Sequence, residues 1–324
     1  MAAALILISS RADDQAFGAA VAAAAGLEFR QASDPAAGMK LVVGEEAPIL
    51  FVDGSGPEDY RRFEAAAEAT VGLYSSKVAA NRVHYLSSSD IYKVPHLIAS
   101  PLFGSYIRRN FDDLASVSAH YGRVLAAGVG QNAFGTERLV RPGCRIQTIR
   151  PTSSLQKRDA VEAVRSHLIA LKFQSRMATV VANAVDELLM NAMYDAPVDP
   201  AGRPLYSGTA RNTAIDLSGR SAVELHVAYD GEYVTVTAVD LFGSLDKGRL
   251  MGAISSIYRK QEYKVRTAGA GAGLGLATVF HSGGSFLFSS ENGVRTEATV
   301  FFRRTDNFRD FKNQFRFIST QFYF

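Results

Sequence analysis

Val180–Asp195 reads VVANAVDELLMNAMYD. The stretch holds no Gly or Pro, and Ser175 stands before it as a candidate N-cap. Val181, Val185, Leu188, Leu189 and Ala192 recur at helical spacing. Through this apolar pattern runs a second row, Asn183, Glu187, Asn191 and Asp195, each four residues after the last. Such spacing stacks side chains on one face of a helix. A polar row bordered by large apolar side chains is expected to look into a cavity. An ordinary solvated helix face is the competing reading.

Two later stretches bear on it. Thr235–Leu245, TVTAVDLFGSL, is a strand pattern that ends on Asp240 and runs into a turn at Gly243. Ala268–Leu276, AGAGAGLGL, contains G-x-G-L-G-L from Gly271 and leads into an apolar segment. An E-x-x-x-N helix, an Asp before a Gly turn and a G-x-G-L-G-L box, in that order, resemble the GHKL-type ATP-binding domain. That domain is shared by histidine kinases, gyrase B, MutL, heat-shock chaperone ATPases and anti-sigma-factor kinases. The resemblance covers residues 145–303, about half of the chain. It implies a Bergerat-type α+β sandwich, a mixed and mostly antiparallel sheet with helices on one face, that binds ATP and Mg²⁺.

The resemblance also implies roles for individual residues. Asn191 matches the Asn whose amide oxygen coordinates Mg²⁺ at the nucleotide phosphates, an ion that takes a few oxygen ligands besides water and phosphate. Glu187 matches the carboxylate that orients or deprotonates the attacking group. Asp240 matches the acid that accepts a hydrogen bond from the adenine amino group, which guanine lacks at that edge. Gly271, Gly273 and Gly275 would let backbone amides approach the phosphates. Asp195 is expected at the ribose or base, or as a solvated acid, and Thr296 near the base pocket. The family's usual D-x-G-x-G box here reads Asp240-Leu-Phe-Gly243-Ser, so the turn must differ. Residues 250–268, with Arg259, Lys260, Lys264 and Arg266, would form a lid, or else an exposed basic loop.

Bulk properties set the frame. A chain of 324 residues, 47% hydrophobic and 21% charged, can bury cores for two domains. A net charge of +3 does not argue for nucleic acid. The one cysteine, Cys144, excludes an internal disulfide framework and suits a reducing compartment. MAAALILISSRADD has no basic leader and too short an apolar run for a signal or a span, so it reads as a first strand. The expected location is cytoplasmic, with no membrane.

Residues 1–125 alternate strand-like and helix-like segments, the pattern of an α/β unit with a parallel sheet. The expected strands are Ala4–Ile8, Leu27–Arg30, Pro48–Val52, Val83–Leu86 and His96–Ala99, with Tyr106–Leu125 as the closing helix or a longer dimerisation helix. The order is similar to a response-regulator receiver domain, with Asp53 where that family carries its phosphorylated aspartate. Ser9-Ser10 replaces its acidic pair and Ser100-Pro101 its Lys-Pro. Asp53 is therefore read as a turn residue and the unit as a degenerate receiver-like domain for protein contacts. His120 and His167 lack the sequence context of a histidine phosphoacceptor.

Ala126–Gly143, rich in Gly, reads as a linker (residues 126–144). Ser153 and Gln156 make a capping-box pattern before a helix. Asp230-Gly231 and Asn292-Gly293 mark two hairpins. Residues 304–324 form a basic, aromatic tail, with Phe308, Phe311 and Phe315 at helical spacing. It is expected to dock on the protein's own body or a second subunit; its composition also suits single-stranded nucleic acid. The expected whole is a signalling protein of the two-component kind. It would bind Mg-ATP and transfer phosphate to a partner or hydrolyse ATP slowly. The partner expected is a response regulator or regulatory factor held by the receiver-like domain, with a homodimer as a further expectation. The alternative is a nucleotide-gated scaffold without turnover, or two domains that only bind proteins.

Overall fold

The computed structural model describes residues 3–73, 75–129, 134–206, 208–210, 213–248, 250–252 and 279–323. The chain divides into two compact units: unit 1 is Met1–Ala133 with Phe315–Gln321, and unit 2 is Phe134–Gln314 with Phe322–Phe324.

Unit 1 is built on β1 (Ala4–Ile8), β2 (Glu28–Ala32), β3 (Ile49–Asp53), β4 (Val83–Ser87) and β5 (Ser105–Arg108). These lie in the order β2-β1-β3-β4-β5, and every pairing among them is parallel. A parallel strand covered on both faces reads as a continuous apolar run. Leu5, Ile6, Leu7, Leu50 and Phe51 are accordingly buried. The weak strand β2, EFRQA, is the exposed edge. Helices α1 (Ala12–Ala25), α2 (Pro35–Val43), α3 (Pro57–Thr70), α4 (Pro95–Ile98) and α5 (Leu114–Val129) connect or follow the strands. Right-handed crossovers send α1 to one face and α2 and α3 to the other, because the strand order reverses at β1. Packing agrees, with α1 against α5 and α2 against α3.

Two expectations are corrected here. His96–Ala99 is not a strand: His96–Ile98 belong to α4 and Ala99 caps it, because Pro95 takes the first helical position, where its missing N–H costs nothing. The last parallel strand overlaps the start of the stretch expected to be one helix, and α5 begins only at Leu114 and continues to Val129. Ser100-Pro101 therefore precedes that strand, and the residue that follows it is Arg109.

The C-terminal stretch becomes helix α8 (Phe308–Asn313) and strand β11 (Arg316–Tyr323). β11 pairs antiparallel with β5 through Arg316–Ser319. A buried polar chain fixes it. The Tyr121 hydroxyl lies 2.7 Å from His84 Nδ1 and 3.3 Å from Ser319 Oγ, and Ser105 Oγ donates to Ser319 Oγ at 3.0 Å. Burial holds His84 neutral, with its pKa pushed down to about 3. Tyr121→Phe leaves the His84 nitrogen buried without this partner. It should lower stability by about 1–3 kcal/mol in a urea titration.

Unit 2 carries β6 (Ile146–Ile149), β7 (Val223–Tyr229), β8 (Tyr233–Asp240), β9 (Ser285–Glu291) and β10 (Arg295–Arg303). The order is β9-β10-β8-β7-β6 and each of these pairings is antiparallel. Asp230-Gly231 and Asn292-Gly293 form the two hairpin turns, with positive φ at Gly231 and Gly293. Helices α6 (Lys157–Ala170) and α7 (Ser175–Met190) pack on each other, and α7 packs on β8 and β10. The architecture is thus an α/β unit with a parallel sheet and an α+β unit with helices on one face of an antiparallel sheet. Among the described residues no helix is long and apolar enough to cross a membrane.

Candidate functional site

Helix α7 positions the first group of site residues. Its buried face carries Val181, Val185, Leu188 and Leu189 against the sheet. Ser175 is its first residue rather than its cap; Gln174 takes that position and makes no side-chain cap. Asn183 is exposed and does not join the inward row. Past Met190 the helix changes register: Asn191–Asp195 form a π-helical turn, closed by the Ala196 amide donating to the Asn191 carbonyl at 2.8 Å. Such turns widen a helix by one residue and are common at functional sites. Both ends of this one, Asn191 and Asp195, reach the same cavity.

That cavity has a volume of about 140 Å³ and lies within unit 2. Its polar lining includes Asn191, Asp195, Asp240 and Thr296, and its apolar walls include Leu188, Ala238 and Phe288. An engineered apolar cavity of about 150 Å³ takes one benzene ring, so a flat ring is the scale of guest this space admits. Asn191 Oδ1 is buried and has no hydrogen-bond partner among the described residues. A buried amide oxygen is costly to leave unsatisfied, so this one is suited to a ligand. Glu187, one turn earlier, is half-buried and is not part of the cavity lining among the described residues.

Asp240 ends β8 opposite Thr296 of β10. Its Oδ1 accepts from the amides of Phe242 at 2.9 Å and Gly243 at 3.3 Å, and the Thr296 hydroxyl donates to the carboxylate. Burial pushes its pKa up to about 6 against these three donors. The turn survives without the usual glycines because Gly243 alone takes positive φ, +57°. A Cβ there would stand 2.0 Å from the Glu291 carbonyl oxygen. Phe242 is buried beneath the Arg220 guanidinium, 5.2 Å from the ring centroid. Gly243→Ala should cost about 2 kcal/mol or more in stability and displace the two amides that hold Asp240, read by denaturation and ligand titration.

In the sequence, Ser244 stands out only as a departure from glycine. Its hydroxyl donates to the Ala196 carbonyl at 2.7 Å, joining the Asp240 turn to the end of the π-helical turn. Gly271, Gly273, Gly275 and the lid cations Arg259, Lys260, Lys264 and Arg266 lie outside the described residues.

No protein-family model matches the chain, and no curated protein matches it. Among the described residues no cluster of three or more His, Cys, Asp or Glu side chains could hold a metal ion.

Proposed function

We propose that unit 2 binds Mg-ATP and that the protein uses it in signalling, by phosphate transfer to a partner protein or by slow hydrolysis. The observation that carries this reading is the convergence of Asn191, Asp195, Asp240 and Thr296 on one ring-sized cavity. The base would enter between Leu188, Ala238 and Phe288 with its amino group on the Asp240 carboxylate. Asn191 Oδ1 would supply a protein ligand to Mg²⁺, which in turn neutralises phosphate charge. Glu187 would take the proton of the attacking water or acceptor hydroxyl as the γ-phosphoryl bond to ADP breaks. The glycine box Gly271, Gly273 and Gly275 would meet the phosphates.

Calorimetric titration with a non-hydrolysable ATP analogue and Mg²⁺ tests the reading. Binding is expected, weakened about tenfold or more by Asn191→Ala, since a ligand to a buried ion contributes at least about 1.4 kcal/mol. No heat and no thermal shift with the wild type would overturn it. Glu187→Ala should then abolish turnover and spare binding; a variant that changes neither supports a nucleotide-gated scaffold. The capped Asp240 oxygen, held by its own turn, is the observation that favours the scaffold.

The buried acid also gives the binding a pH dependence. A carboxylate accepts from the base amino group more strongly than the protonated acid does, so affinity should rise from about pH 5 to about pH 7 and flatten above, with proton release on binding in the lower range. In the free protein the sign is opposite. Asp240 has a raised pKa of about 6, so the folded state holds a proton that the unfolded chain has lost. This group's contribution to stability is full below about pH 4 and declines as pH rises through about 6.

A further inference from the structure

A second cluster lies in unit 1, at the ends of β1 and β3 and just beyond β5. Asp14, in the first turn of α1, is fully buried, and the Ser9 hydroxyl donates to its Oδ2 at 2.6 Å. Arg109 donates to the same carboxylate through Nε and Nη2, both at 2.7 Å. Its Nη2 also lies 2.9 Å from Asp53 Oδ1, and its Nη1 donates to the Ser55 hydroxyl. Ser55 in turn donates to Asp53 Oδ1 at 2.6 Å. The Arg109 amide, bonded to the Ser87 carbonyl at 2.9 Å, anchors this residue to the end of β4. The Arg109 side chain is 5% exposed and the Asp14 side chain 0%.

The receiver resemblance implies Mg²⁺ held by acids around Asp53 and a phosphoryl group accepted by it. The residues present do not fit that group. A hard divalent cation needs several oxygens converging on one point. Here both oxygens of Asp14 and one of Asp53 are already turned onto the guanidinium. Arginine stays protonated at any relevant pH, and its planar fork matches carboxylates in this way. A phosphoryl group on Asp53 would add negative charge beside a cation already committed to Asp14. Asp53 behaves accordingly: burial raises its pKa, but Ser55 and Arg109 more than offset that and hold it below the ordinary carboxylate value.

We propose that Arg109 is a resident counter-ion standing where a divalent cation would otherwise sit, so that unit 1 takes neither the metal nor a phosphoryl group at Asp53. Unit 1 then offers its partner a single, unswitched surface. The inference concerns unit 1 alone and does not depend on nucleotide binding by unit 2.

The test uses the full chain with nucleotide omitted. Mn²⁺ is titrated and the free ion followed by electron paramagnetic resonance; separately, the protein is incubated with acetyl phosphate and Mg²⁺ and weighed intact. The wild type should show no Mn²⁺ site that Asp53→Asn removes, and no phosphoryl adduct. Either one would overturn the proposal. Arg109→Ala frees the acids and should gain at least about tenfold in Mn²⁺ affinity, if circular dichroism reports it folded. A folded Arg109→Ala that binds Mn²⁺ no better than the wild type also overturns it. If that variant does not fold, Arg109→Lys serves instead: an ammonium cannot span both carboxylates. Its failure to bind Mn²⁺ better than the wild type would count against the proposal in the same way.

Discussion

Asp240→Ala should reduce the affinity for an ATP analogue by at least about 100-fold, some 2.7 kcal/mol. Two losses combine. The base amino group would be buried against a methyl group with its donor unsatisfied, which by itself costs about 1–3 kcal/mol. The amides of Phe242 and Gly243 would also lose their common acceptor, and the turn that closes the cavity would loosen. Asp240→Asn separates these effects. Its amide oxygen can still cap the turn, while its NH₂ faces the base with a donor where an acceptor is needed. Affinity that falls equally in both variants, with the fold intact, identifies recognition of the base as the larger of the two losses. Affinity that survives in Asp240→Asn assigns the residue to the turn alone.

Asp14→Ala should destabilise the protein by about 3–5 kcal/mol, the cost of leaving a buried charge without its partner. Arg109 would keep Asp53 and Ser55 but lose both bonds of its bidentate pair. Asp53→Ala should cost distinctly less, because that side chain is 24% exposed and holds the guanidinium by one contact. Replacing both partners, Asp14→Leu with Arg109→Met, should recover much of the loss, since an apolar pair of similar volume removes the uncompensated charge. Urea denaturation of the three variants checks the order. Equal losses at Asp14 and Asp53 would contradict it.

Much of the fold could be read from the chain because its signals were local and redundant. Strand β1 and all of β3 before Asp53 are unbroken apolar runs, and the two Gly turns of unit 2 sit between alternating ones. The last parallel strand was not legible for a physical reason. Ser105–Arg108 is four residues long, and Ile107, Phe111 and Leu114 also fit a helical period, so periodicity cannot separate the two. Without that strand nothing in the sequence marks Arg109, whose partners Asp14 and Asp53 are far from it along the chain. The tail is a similar case. Its helical spacing of Phe308, Phe311 and Phe315 holds only as far as Asn313, after which strand β11 takes over.

Within the candidate site, four-residue spacing pointed to Asn191 and Asp195, which the turn beyond α7 brings to one cavity, and a strand-ending acid before glycine marked Asp240. The row itself extended too far, since Asn183 is on the solvent side. Nothing in the sequence announces the π-helical turn, because it is set by how Ala196 and Ser244 tie the helix end to the neighbouring turn.

The return of residues 315–321 to unit 1 has a consequence for how the protein is made. On the ribosome, at roughly 5–20 residues per second, β5 waits on the order of ten seconds or more for the strand that covers it, while Phe134–Gln314 of unit 2 are translated. During that interval a parallel sheet is left with an open edge, the kind of template that recruits foreign strands. The nascent chain is therefore most exposed to aggregation in the middle of its synthesis, while the sheet begun first still awaits its covering strand.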